Sequence, residues 1–431
     1  MKYILFFLII FTSCSKPDTG ETLITKWQGD KKSAISLTYD DGIINQFTVA
    51  RPIMNELGLP ATFYIITGKV EGSGEGKFIG RSPELVIKET ITEKTNETNF
   101  FERASLIAFT GTDEAEDYHA RAGSRFEAGK VNEAYGLMDE AYEKLREGLL
   151  KNTNEVVFHN NKADTTTWQE YKKYASEGHE IASHTVTHAR LAVLDSVNLL
   201  YELEQSKADI AKYLGVEQTF SAECPYGTEN ERVMEFAHAI YPALRNRMPA
   251  DYLEELNRSS KLEPGISKKE YVQWQRGPLT NIDMAGMKAW VDTCLAHDNI
   301  WLTLVFHGVD GLGWEPRTGA ELREYFTYMK SKETELWVAT FADVTKYIRE
   351  RKGTEMKISR EGDKLRIRLN SNLDSDMYNV PLTLRTYLPN GWVNASLNNE
   401  NEALETFMDQ KGSYVVYDIL PSEGEASLIR R

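Results

Sequence analysis

Apolar and polar positions change rhythm several times along this chain, and each change marks an element. Ala34-Ile35-Ser36-Leu37-Thr38-Tyr39 is a short β-rich run that stops at Asp40-Asp41-Gly42, and a helix-period pattern follows to about Leu57. Residues 60–67 (PATFYIIT) are a second apolar, β-branched run. Strand, helix and strand within about 35 residues predict a βαβ unit and a parallel sheet. Further strands are predicted at 179–183, 218–223, 241–246 and 300–306, with helices between them at 191–214 and 281–296. Helices at 320–330 and 342–351 close the alternation. The fold class is therefore α/β, and repeated strand–helix units predict a barrel, although the pattern stops short of eight clean repeats.

Two segments break that rhythm. Residues 67–168 have little strand character, and 115–150 within them are strongly helical. Their centre, AGSRFEAGKVNEAYGLMDEAYEKL, resembles a single tetratricopeptide hairpin. One such unit cannot bury its own apolar face, so residues from about 100 to 160 are expected to be a helical insertion packed on the parallel-sheet domain. Residues 355–431 alternate instead with period two, as in Leu365, Ile367, Leu369 and again Leu382, Leu384. They predict a small antiparallel β domain, which suits a carbohydrate-binding module and a structural cap equally.

The N-terminus adds a destination. Lys2 precedes an apolar run over residues 3–11, too short for the roughly 20 residues of a membrane-spanning helix but suited to a secretory leader. The run ends Phe11-Thr12-Ser13-Cys14. Small residues before a cysteine resemble a bacterial lipobox, so residues 1–14 are read as a lipoprotein signal with Cys14 as the lipidated residue. Residues 15–31 are read as a linker and 32–352 as the main domain. The expectation is an exported protein, lipid-anchored to the bacterial cell envelope at the outer membrane or in the periplasm. Charge agrees with an envelope protein that does not bind nucleic acid: 50 Lys+Arg against 65 Asp+Glu leaves −15 over 431 residues. Three cysteines are too few for a disulfide scaffold; an oxidising compartment would let Cys224 and Cys294 pair, but free buried thiols are the favoured reading.

Candidate chemistry sits where predicted strands end. Asp40-Asp41-Gly42 places two carboxylates after the first strand, one able to hold a metal and the other free as a base; turns use the same residues. Ser183-His184-Thr185-Val186-Thr187-His188 spaces two histidines at i and i+4, on one face of a helical turn, a common geometry for divalent metal ligands. Leu302-Thr303-Leu304-Val305-Phe306-His307-Gly308 ends an apolar strand in a histidine fit for general acid or base work. Glu223-Cys224-Pro225-Tyr226-Gly227 is a further strand-to-turn signal. The other histidines, His119, His159, His179, His238 and His297, lack a partner pattern and read as structural.

The order and spacing of T-Y-D-D-G, S-H-T-x-T-H, P-Y-G and L-x-F-H resemble the polysaccharide deacetylase superfamily (NodB-like, carbohydrate esterase family 4) over roughly residues 32–351, the insertion excluded. The resemblance implies a distorted (β/α) barrel and removal of acetyl groups from glycans. It implies a divalent metal, usually Zn²⁺, on Asp41, His184 and His188, with Asp40 as general base and His307 as general acid. Pro225 and Tyr226 would line the groove of an acetylated oligo- or polysaccharide substrate, the backbone N–H of Tyr226 helping to hold an oxyanion.

Two departures stand out. Glu223 occupies the place where the family often carries the arginine that orients the base. A carboxylate there would raise the Asp40 pKa, and Arg245 or Arg247 is the candidate replacement. The family's fourth motif is blurred; Trp274, Arg276 and Asp283 lie in its region without assignable roles. N-deacetylation of an amino-sugar glycan is the leading expectation. The alternatives are an O-acetyl esterase acting on xylan or a similar glycan, and a non-catalytic glycan-binding protein on a decayed enzyme fold.

Overall fold

The computed structural model describes residues 20–152, 165–277, 281–398 and 400–431. The expected leader with Cys14, and His159, lie outside them. Among the described residues no helix is long and apolar enough to cross a membrane. The described residues divide into two compact units, Lys31–Ile348 and residues 20–30 with Arg349–Arg431.

After β1 (Thr22–Ile24), which belongs to the second unit, the first unit is built on β2 (Ser33–Tyr39), β3 (Ala61–Ile65), β4 (Glu180–Ser183), β5 (Ser221–Ala222), β6 (Ala243–Leu244), β7 (Leu253–Leu256), β8 (Tyr271–Arg276), β9 (Ile300–Phe306) and β10 (Leu336–Val338). They pair in the order β6-β5-β4-β3-β2-β9-β8-β7, and β10 joins the N-terminal half of β2. Every ladder in this sheet is parallel. Parallel strands are covered on both faces and so read as continuous apolar runs; β2 and β9 are buried at every position. The sheet curls into a distorted barrel whose ladder is interrupted between β6 and β7. There Gln273 and Gln275 of β8 donate side-chain bonds to the Arg245 carbonyl at 2.5 and 3.1 Å.

The sequence reading missed β7, β8 and β10. β8 reads Tyr-Val-Gln-Trp-Gln-Arg, and its glutamines are buried because they satisfy that interrupted edge. Helices α1 (Arg51–Leu57), α2 (Pro83–Glu89), α3 (Phe100–Ala108), α4 (Asp113–Glu127) and α5 (Val131–Glu147) follow β2 and β3. The last four form the insertion, which thus starts before residue 100. Phe100, Ile107, Tyr118, Ala122, Met138 and Tyr142 give it a core of its own, closed against Val193. The remaining helices of this unit include α6 (Trp168–Ser176), α7 (Ser196–Leu214) and α8 (Glu231–Ile240).

The second unit holds two four-stranded antiparallel sheets. β1 pairs with residues 384–386 in one of them, and Trp27 is fully buried. Residues 22–30 are therefore part of a folded unit and not a linker. Nothing local signals this, because the strand partner of Thr22–Ile24 lies some 360 positions away along the chain.

Candidate active site and metal centre

The parallel topology brings the chemistry to one rim. Asp40-Asp41 follow β2, His184 follows β4, Glu223 follows β5, Arg245 follows β6 and His307 follows β9. Their backbones continue the ladders: Asp40 N donates to Phe306 O at 3.0 Å, His184 N to Ile65 O at 2.9 Å and Glu223 N to Ser183 O at 2.9 Å. The ends of adjacent strands are thus locked in register before any side chain is considered. Gln46, in a π-helical turn over Gln46–Ala50, ties two of these ends together. Its amide donates to the carbonyls of Asp40 and His307 at 2.5 and 2.8 Å.

His184 and His188 do not share a helical face, contrary to the i, i+4 reading. They sit on an irregular loop in which Thr185 and His188 adopt φ of 66° and 67°. Asp41 (φ 76°) and Tyr226 (φ 61°) are left-handed too. Such backbone costs of order 1–3 kcal/mol at each non-glycine residue and persists where the surroundings impose it. In the loop that carries His184 and His188 a buried side chain holds it: Glu202 of α7 accepts from the Val186 and Thr187 N–H groups at 2.9 Å and from Thr187 Oγ1 at 2.8 Å. Glu202 has no motif of its own, and the sequence reading passed over it.

The strained loop delivers a donor set. Ligand atoms of Asp41, His184 and His188 all lie within 4.8 Å of one another, and the residues are buried. His188 Nε2 is 3.4 Å and His184 Nε2 3.7 Å from Asp41 Oδ1. Donors about 2.1 Å from a shared tetrahedral centre lie roughly 3.4 Å apart, so the residues present fit a divalent cation. His184 Nδ1 donates to the Glu223 carbonyl at 2.9 Å, which turns the Nε2 lone pair toward Asp41.

Asp40 has a different neighbour. Arg245 grips it in a fork, at 2.6 and 2.7 Å to its two oxygens, and also donates to Thr38 Oγ1 at 2.9 Å. Burial alone would raise the Asp40 carboxyl. The Arg245 guanidinium outweighs it, with His307 adding, and holds Asp40 well below the usual carboxylate range. The same guanidinium lies 2.9 Å from Glu223 Oε1, which also accepts from Asn246 at 2.5 Å. One cation cannot balance two buried carboxylates. Burial foremost, with Asp40 and Glu229 adding, pushes Glu223 well above the ordinary range against the pull of Arg245. The expected net rise of Asp40 is not found: Arg245 carries it down instead. Arg245 supplies the orienting arginine. Arg247 points elsewhere, to the Glu229 carbonyl at 3.0 Å and the Glu231 carboxylate. His307 Nε2 stands 3.4 Å from Asp40 Oδ2. Burial lowers its imidazole to about 4, against the opposing pull of Asp40 and Asp41.

The polysaccharide deacetylase family profile matches residues 28–94 and 126–240. Over those two stretches the chain is similar to the polysaccharide deacetylase family. A gellan lyase of a Bacillus species is 27% identical over 280 residues, which are 60% of this chain; the chain spans 11% of that much longer protein. Solved structures that align include the Xyl-CE4 domain of a multidomain xylanase from the hindgut metagenome of Trinervitermes trinervoides (12% identity, 75% of this chain and 92% of that one, TM-score 0.34). Two others are a family 4 carbohydrate esterase from Streptomyces lividans (9%, 73% and 95%, 0.35) and the peptidoglycan deacetylase PdaC from Bacillus subtilis (12%, 74% and 94%, 0.33).

The two sets of residues share a cavity of about 580 Å³. Tyr226 and Trp314, 44% and 41% exposed, stand at its walls. Tyr226 packs on His188 with ring centroids 4.7 Å apart, and Trp314 packs edge-on against His307 at 4.6 Å. Pro225, expected to line the groove, is buried in the turn and is not among the cavity-lining residues. The fourth-motif candidates also lie off the cavity. Trp274 is buried, Arg276 stacks on it, and Asp283 caps the N-terminus of the helix Met284–Leu295. Trp314 is the tryptophan of this site; its only sequence signal is its place seven residues after His307.

The remaining histidines include two with clear structural partners. His119 Nδ1 bonds the Ala104 carbonyl at 3.0 Å while Nε2 accepts from Arg190 N at 3.0 Å. His179 joins Ala61 N to Asn55. Cys224 and Cys294 are buried free thiols.

Proposed function

We propose that this protein is a metal-dependent carbohydrate deacetylase, with N-deacetylation of an amino-sugar glycan the favoured reaction. One observation carries the reading: a buried Asp41–His184–His188 donor set and an Arg245-clamped Asp40 paired with His307 open into the same cavity. A divalent cation bound by Asp41, His184 and His188, zinc being the usual choice, would polarise an acetyl carbonyl and acidify a water. Asp40, held ionised by Arg245, accepts a proton from the water that attacks the acetyl carbon. Asp40 is ionised and His307 neutral at pH 7, so the resting pair carries no proton to give. The proton handed to the leaving amine is therefore the one taken from the water, relayed across the 3.4 Å between Asp40 Oδ2 and His307 Nε2. The C–N bond breaks, the acetyl group leaves with the hydroxyl as acetic acid, which then loses its proton to water, and the amine leaves neutral. The backbone N–H of Tyr226 is the proposed oxyanion donor.

The test is acetate release by the zinc-loaded protein. The panel is an N-acetylated amino-sugar oligomer, acetylated xylan and gellan, the last because of the relative named for it. Release from the amino-sugar oligomer is expected. Release from xylan alone would make the protein an O-acetyl esterase, and release from none would leave a glycan-binding protein. We also propose that the chain is exported and tethered through lipidated Cys14. Cys14→Ala should then leave the membrane fraction, and membrane retention after a salt wash would remove the anchor.

A further inference from the structure

The two cavity walls are built to one plan. On the metal side, His188 is covered by Tyr226, and the Arg190 guanidinium lies over Tyr226 at 4.5 Å. On the other side, His307 is covered by Trp314, and the Arg258 guanidinium lies over Trp314 at 5.5 Å. Each functional histidine is thus backed by an exposed aromatic ring and then by an arginine. The arginines differ in one respect. Arg190 is half-buried and ion-paired with Glu127 of the helical insertion, so its charge is spent. Arg258 is exposed, lines the cavity, and among the described residues has no hydrogen bond or ion pair. Glu315 lies within electrostatic reach of Arg258 without pairing to it.

Arg258 follows β7, so it stands on the same strand-end rim as the catalytic groups. Asn257 and Ser259 beside it also line the cavity and present an amide and a hydroxyl. An exposed aromatic face next to hydrogen-bonding groups suits a pyranose ring. An unpaired guanidinium at the edge of that face suits an anion with two coplanar oxygens. In a chain of net charge −15, a cavity-lining guanidinium without an ion pair among the described residues is a point of attraction for an anionic group. We propose that Trp314 and Arg258 form a subsite for a carboxylate-bearing sugar, a uronate unit neighbouring the acetylated one. The substrate is then an acidic glycan. This assignment rests on the deacetylase reading for the identity of the neighbouring unit, but not for the binding itself.

Calorimetric titration of the full chain with non-acetylated tetrasaccharides separates the two. A galacturonate tetramer is expected to bind about tenfold more tightly than a neutral glucose tetramer, the size of one charged hydrogen-bonded contact. Arg258→Gln should abolish that preference while leaving the neutral tetramer unchanged, and Trp314→Ala should weaken both. Equal binding of the two tetramers by the parent, or a preference that survives Arg258→Gln, overturns the subsite. A sulfated tetramer bound more tightly than the galacturonate overturns the carboxylate assignment. If the galacturonate preference holds and the metal-loaded protein releases no acetate from any acetylated glycan, the deacetylase reading falls and the subsite stands. If acetate is released at the same kcat/KM from neutral and uronate-containing acetylated oligomers, the subsite falls and the deacetylase reading stands.

Discussion

The metal-side wall and the His307 wall of the cavity carry the same sequence of side chains and are held in opposite ways. The loop 184–190 is fastened at several points: Glu202 holds Val186 and Thr187, Thr185 Oγ1 accepts from His188 N at 3.1 Å, and the insertion reaches Arg190 through His119 and Glu127. The loop after β9 is closed mainly on itself, with Gly308 N donating to Trp314 O at 2.8 Å and Val309 bridging Leu312. Its guanidinium is borrowed from the β7 loop and makes no ion pair among the described residues. Metal donors must converge within a few tenths of an ångström, whereas a sugar-binding face tolerates more. Bracing by a whole helical subdomain is found on the side where tolerance is smallest.

The largest effect is expected at the floor both walls share. Asp40→Asn should keep the metal, measured by elemental analysis, and lower acetate release by about 10²–10⁴-fold because an amide cannot take the water proton. Near-normal turnover would place the base on one of the walls instead.

Next in size is the clamp. Arg245→Met leaves a buried carboxylate without its cation and should cost about 3–5 kcal/mol of stability in denaturant unfolding. Arg247→Met, which removes a surface pair and one bond to the Glu229 carbonyl, should cost no more than about 1.5 kcal/mol. Equal losses would mean that the fork to Asp40 is not what holds this rim.

The asymmetry itself is broken by Glu202→Gln. A glutamine amide cannot accept every bond that Glu202 now accepts, so the loop relaxes. Zinc affinity by calorimetry should fall about 10–100-fold, as for other groups that orient metal ligands, while Trp314→Ala leaves it unchanged. Loss of affinity in both variants would make the two walls mechanically equivalent.

Acid should loosen the braced side through His119. Burial lowers its imidazole to about 4, against about 6.5 in an unfolded chain. Below pH 6.5 the unfolded chain takes up a proton that the folded one refuses, so stability falls as pH drops from about 6.5 toward 4. This contribution is worth roughly 1.4 kcal/mol per pH unit. His119→Gln should remove that slope, read as the difference between variant and parent unfolding free energies at pH 7 and pH 5.5. An unchanged slope would show that His119 is solvated and does not brace Arg190.

The fully buried strands were legible in the chain because burial on both faces leaves a continuous apolar run; β9 was read residue for residue. Asp40, Asp41, His184, His188 and His307 were legible because a parallel strand must end where its side chains meet the rim. Tertiary structure decided what each of them faces. Asp40 and Asp41 are neighbours in sequence, yet one meets an arginine from β6 and the other meets two histidines from β4. The histidines converge through left-handed backbone held by Glu202, not through the helix their spacing suggests. Glu223 is pushed up and Arg245 takes the orienting role because Asp40 and Glu223, both buried, share that single guanidinium. Thr22–Ile24 became a strand and Gln273 and Gln275 went inside for a related reason. Local pattern records how much of a residue is buried, whereas partners hundreds of positions away determine what charge, bond or strand it is buried against.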